Sequence, residues 1–68
     1  MTVTVTVNGA PHSLPAGATV ADLLQQLGLD RPGVAVAVDH RVVPRSRHPD
    51  HALAQGVSIE IIRAVGGG

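Results

Sequence analysis

The chain of 68 residues contains no cysteine, no lysine and no Phe, Tyr or Trp. Without cysteine there can be no disulfide, no thiolate nucleophile and no Cys-ligated zinc. Without Phe, Tyr or Trp the chain lacks the large rings on which bases usually stack in single-strand nucleic-acid binding. Val, Leu, Ile and Ala must therefore fill whatever core the chain builds. The five basic residues are all arginine, scattered along the chain and balanced by five acidic ones. Neither a basic stripe nor an acidic tail results, so no nucleic acid is expected as a partner. Long apolar runs are missing as well, and none approaches the roughly 20 residues that span a bilayer. The opening "MTVTVTVNG" has neither the basic n-region nor the apolar h-region of a signal peptide. The expectation is a cytoplasmic, soluble domain, monomeric when free, with no membrane association.

So short a chain makes one domain and buries only about 60% of its unfolded surface, which calls for an economical core. In "TVTVTVNG" Val3, Val5 and Val7 alternate with Thr2, Thr4 and Thr6, the period of a half-buried strand. Asn8-Gly9 tolerates positive φ at both positions and predicts a tight hairpin into a short strand, "APHSLP", ended by Pro15. His12 and Leu14 share one face of that strand, with His12 near an edge. "GATVADLLQQLGL" predicts a helix with Thr19 as N-cap, Asp22 in a capping-box position and Gly28 as the left-handed terminator, followed by an apolar contact from Leu29. Val20, Leu23, Leu24 and Leu27 form its apolar stripe, while Ala21, Asp22, Gln25 and Gln26 face water. "GVAVAV" predicts a central strand, Asp39-His40 a turn, and "RVV" a short strand stopped by Pro44. The stretch "PRSRHPDHALAQG" lacks a clean period and is expected to be a loop with one helical turn near Asp50 to Leu53. After a turn at Gln55-Gly56, "VSIEII" predicts the last strand, with Val57, Ile59 and Ile61 on one face and Ser58, Glu60 and Ile62 on the other.

A strand that follows a crossover helix can lie parallel to the first strand, giving a mixed sheet with the helix across it. The expected class is α+β, a β-grasp of four to five strands and one main helix. It occupies residues 1–65, with 66–68 as a flexible glycine tail. Its core should comprise Val3, Val5, Val7, Val20, Leu23, Leu24, Leu27, Val36, Leu53, Ile59 and Ile61.

Few residues offer chemistry. His48 and His51 stand three apart and could face one ion, but two imidazoles with no third ligand make a poor zinc site. Solvated loop histidines are the favoured reading, and no metal is expected. Ser13, Ser46 and Ser58 sit in no nucleophile-elbow context, and a domain this small has little room for a substrate pocket. No glycine-rich loop cradles a phosphate. There remains the run Gly66-Gly67-Gly68. It reads either as a flexible tail or cloning remnant, or as a reactive arm thin enough to enter a narrow channel in a partner. It follows "VSIEIIRAV" with no polar spacer, which favours the arm. Ile62, apolar on the outward parity of the last strand, is expected to dock on that partner together with Ala64 and Val65.

"VNGAPHSLPAGATVADLLQQLGL", "VAVAVDHRVVPR" and "GVSIEIIRAVGGG" resemble, across the whole chain, the ThiS family of ubiquitin-like sulfur carriers from thiamine biosynthesis. Members often carry Asn or Glu where Asp39 stands, an acidic residue where Val57 stands and an aromatic near His48, departures confined to loops. The resemblance implies a non-enzymatic carrier with no permanently bound cofactor. A ThiF-like adenylating enzyme would spend ATP to convert the Gly68 carboxylate into an acyl-adenylate. A cysteine desulfurase persulfide would supply sulfur for a thiocarboxylate, and thiazole synthase would accept it. Gly66 and Gly67 would thread the partner's channel. The absence of lysine argues against a polymer-forming modifier. Two alternatives stand beside this one: the small sulfur-carrier subunit of a molybdopterin synthase, and a non-catalytic β-grasp interaction module with an inert tail.

Overall fold

Alternating valines build the first strand. Over Thr2–Val7, β1 buries Val5 and Val7 and half-buries Val3, while Thr2 and Thr4 stay exposed on the other face. The computed structural model describes residues 1–63. Asn8 and Gly9 both adopt positive φ, 49° and 86°, and return the chain as β2, Ala10–Pro15, antiparallel to β1. Val5 faces His12 and Val3 faces Leu14 across this pair, so His12 sits on the core face of an edge strand.

The helix α1, Val20–Leu27, starts at a complete capping box. The Thr19 N–H donates to Asp22 Oδ2 (3.0 Å) and the Asp22 N–H donates to Thr19 Oγ1 (3.3 Å), so two otherwise orphaned donors are satisfied reciprocally. It stops where Gly28 turns left-handed at φ 72°. There the Leu29 N–H donates to the Leu24 carbonyl (2.8 Å) and the Gly28 N–H to that of Gln25 (3.2 Å), a Schellman arrangement. Val20, Leu23 and Leu24 are buried, Leu27 lies at the core margin, and Ala21 is half-buried rather than facing water.

Strand β3, Val34–Val38, turns through Asp39 and His40 into β4, Arg41–Val43. A 3-10 helix follows at Arg45–Asp50, and the last strand is β5, Ser58–Arg63. The sheet order is β2-β1-β5-β3-β4. The parallel neighbour of β1 is therefore β5 and not the strand directly after the helix; β3 is antiparallel to β5. Strand β3 is interior, but β5 holds the centre. A mixed five-stranded sheet with one helix across it is the β-grasp architecture expected of the sequence.

Three details depart from expectation. The helical turn lies at Arg45–Asp50, not near Asp50 to Leu53. Residues 51–53 are extended because they pair with the entry to α1: Thr19 and Ala52 form an antiparallel bridge. There the Val20 N–H donates to the His51 carbonyl (3.0 Å) and the Leu53 N–H to that of Ala18 (2.8 Å). Second, His48 is not a solvated loop histidine. It is buried, 6% exposed, with Nε2 3.0 Å from the Val43 carbonyl oxygen. Third, the core is wider than expected: Leu14, Ala18, Val38 and Val43 join it, while Val3 and Leu27 only flank it.

Candidate functional site

Strand parity sorts the sheet into a core face and an outward face, and β5 leads along that sheet toward the glycine run. Of the expected site residues, Ile62 lies on β5 and is 61% exposed. Ala64, Val65, Gly66, Gly67 and Gly68 lie outside the described residues.

Register shows what surrounds Ile62. On β3, Ala35 is its partner and Ala37 is the partner of Glu60. One strand further out, Val42 on β4 pairs with Ala37 and is 75% exposed. Ile62, Ala35, Ala37 and Val42 thus form an apolar strip across three strands. The outward positions of β1 and β2 are Thr2, Thr4, Thr6, Pro11, Ser13 and Pro15, a largely polar half without large apolar side chains. At the border of the strip, His40 Nδ1 lies 3.3 Å from Glu60 Oε1, both groups well exposed. Ala35, Ala37 and Val42 were missed as neighbours of Ile62. Alternation within "VAVAV" and "RVV" reveals their parity, but not that these strands lie beside β5.

Two turn residues reach β5 through their side chains. Asn8 is the first residue of the β1–β2 turn. Its backbone N–H donates to the Ile59 carbonyl (2.9 Å), its Nδ2 donates to the Ile61 carbonyl (3.2 Å), and its Oδ1 accepts from the Ile61 N–H (2.9 Å). Asp39, first in the β3–β4 turn, mirrors part of this at the other end of the strand. Its N–H donates to the Ser58 carbonyl (2.7 Å) and its Oδ1 accepts from the Ser58 N–H (3.0 Å).

Among the described residues, the histidines lie apart from one another. His12 lies on the core face of β2, His40 on the outward side and His48 inside the core. Among the described residues no group of three or more His, Asp or Glu could hold a metal ion. An open hollow of about 340 Å³ lies against β4, lined by Arg41, Val43, Pro44, Arg47, Asp50 and His51 among others. The charged groups on it, Arg41, Arg47 and Asp50, are exposed, so nothing in it is held desolvated for chemistry. No helix among the described residues is long and apolar enough to cross a membrane.

Comparison with known proteins agrees with the fold. The model of the ThiS family matches residues 5–68. The sulfur carrier protein ThiS of Escherichia coli (strain K12) is 36% identical over 53 residues, 78% of this chain and 80% of that protein. A thiazole synthase of Paramagnetospirillum magneticum is 37% identical over 62 residues; these are 91% of this chain, which spans only 19% of that relative's length. Among solved structures, the thiamine biosynthesis protein (ThiS) of Geobacter metallireducens superposes with a TM-score of 0.78 at 26% identity. It covers 97% of this chain and 100% of that one.

Proposed function

This chain belongs to the ThiS family, and from that membership we propose that it is a sulfur carrier of thiamine biosynthesis that works through a C-terminal thiocarboxylate. The observation that carries the reading is that the family match runs through Gly66, Gly67 and Gly68 rather than stopping at the sheet.

The chemistry follows from what the chain has and lacks. A carboxylate is a poor electrophile, so the Gly68 carboxylate must first attack the α-phosphate of ATP on a ThiF-like adenylating enzyme, releasing pyrophosphate. The chain has no cysteine, so the sulfur nucleophile comes from outside, as a persulfide formed by a cysteine desulfurase. The persulfide attacks the acyl carbon and displaces AMP, giving an acyl disulfide. A second thiol on a partner then attacks the donor's sulfur, releasing the thiocarboxylate on Gly68 and joining the two partner thiols as a disulfide. Gly66 and Gly67 carry no side chain and let a partner close tightly around the backbone. The exposed Ile62, with Ala64 and Val65 following it, provides the apolar contact that seats the carrier. Thiazole synthase is the proposed acceptor. In support, one relative of that name contains a stretch similar to nearly the whole of this chain. The chain performs no turnover of its own and needs no resident cofactor in this scheme; it is a protein co-substrate.

Mass spectrometry after incubation with ATP, the adenylating enzyme and a sulfur donor tests the proposal. The expected result is exchange of one oxygen for sulfur, localised to the C-terminal peptide. An unchanged mass overturns the carrier reading. Rescue of a molybdenum-cofactor mutant but not of a thiazole auxotroph would assign the carrier to molybdopterin synthase instead.

A further inference from the structure

Strand β5 is supported unequally by its two neighbours. On one side β3 pairs with it along its length, from Val38↔Ile59 to Val34↔Arg63. On the other, β1 pairs only at Thr6↔Ser58 and Val7↔Ile59, because the chain turns away at Asn8. Beyond Ile59, the next backbone groups facing β1 are the N–H and C=O of Ile61, and β1 has no peptide left to offer them. The Asn8 carboxamide takes that place. It accepts from the Ile61 N–H (2.9 Å) and donates to the Ile61 carbonyl (3.2 Å), in place of the carbonyl and N–H that successive peptide units of a longer β1 would offer. Only an amide side chain supplies both a donor and an acceptor in one plane for this task. The left-handed φ of 49° that aims it is one Asn tolerates better than most residues.

We propose that Asn8 is a positioning residue, a latch that holds the end of β5 in register and thereby fixes where Ile62 and Arg63 are presented to partners. The proposal rests on the carrier reading for its functional half. Ile61 immediately precedes the exposed Ile62, and Arg63 ends the strand. A strand end held on both sides is already ordered when a partner meets it. One held by β3 alone must be ordered on binding, at roughly tenfold in affinity per residue. The corresponding contact of Asp39 is made with Ser58, at the start of β5, and so should not affect presentation of its end.

Asn8→Gly tests the latch, since glycine accepts the turn conformation and removes only the side-chain amide. Amide exchange at Ile61 in the free protein should accelerate by at least about tenfold. In adenylation assays KM for the carrier should rise by roughly three- to tenfold, with kcat unchanged within about twofold. Asp39→Gly is the matched control. It removes a turn side chain bonded to the same strand and should leave both Ile61 exchange and KM near the parent values. Unchanged Ile61 exchange in Asn8→Gly overturns the latch. So does a parent-like KM alongside fast exchange, or an equal rise in KM in Asp39→Gly. A parent protein that is not adenylated at all overturns the carrier reading instead, and exchange at Ile61 then upholds or overturns the latch by itself.

Discussion

His48 Nε2 lies 3.0 Å from the carbonyl oxygen of Val43, and both residues are buried. A carbonyl can only accept, so the ring carries its proton on Nε2 and donates it. The bond ties the 3-10 helix to the end of β4, where Pro44 has just stopped the strand. Removing the ring leaves a cavity and takes from the buried Val43 carbonyl the partner it has beyond its pairing with Val36 on β3. His48→Ala should cost about 2–3 kcal/mol in urea denaturation. A loss under about 0.5 kcal/mol would mean that the ring packs against nothing.

Leu24 is 3% exposed and belongs to the cluster that joins α1 to the sheet. Leu24→Ala should destabilise the protein by roughly 2–5 kcal/mol, a large share of what a domain of this size possesses. Equilibrium unfolding measures it, and near-neutral behaviour would place the helix in a different register.

Gly28 ends the helix at φ 72°, and an added Cβ would meet no atom within 4 Å. The expected cost of Gly28→Ala is therefore purely conformational, about 1–2 kcal/mol. Gly28→Asn should cost less, because Asn enters the left-handed region more readily. Equal losses for the two variants would point to a steric rather than a backbone origin.

Ile62 is 61% exposed and contributes nothing to the core cluster. Ile62→Asp should keep the parent urea midpoint and weaken binding to the adenylating enzyme by roughly tenfold or more. Val42→Asp, at the far end of the same strip, should weaken it as well. Titration calorimetry on the two variants decides. Unchanged affinity in Ile62→Asp moves the docking face elsewhere.

Adding one residue after Gly68 displaces the carboxylate by up to about 3.6 Å, too far for in-line attack on a phosphate. Gly67→Val leaves the carboxylate in place but adds a β-branched side chain. Both proteins should fold as the parent does, and both should fail to become charged with sulfur in the mass-spectrometric assay. An extended protein that is charged without first being trimmed would remove Gly68 from the chemistry.

The elements that could be read from the residues are those whose hydrogen bonds close within a few positions. The capping box of Thr19 and Asp22, the Schellman end at Gly28 and the Asn8-Gly9 turn each depend on neighbours in sequence. The parity of Val3, Val5 and Val7 and of Ile59 and Ile61 follows from the pleat alone, and so does the outward placement of Ile62. Which strands become neighbours does not follow in this way, because every strand offers the same backbone groups. Setting β5 between β1 and β3 emerges only when the apolar faces of all five strands are covered together by α1. The consequences of that arrangement were equally hidden. Asn8 and Ile61 are 53 positions apart, Val42 joins Ile62 only through β3, and His48 is buried because β4 and the 3-10 helix meet over it. Local chemistry dictates the pieces and their faces; long-range packing dictates their order, and with it the apolar strip that Ile62, Ala35, Ala37 and Val42 share.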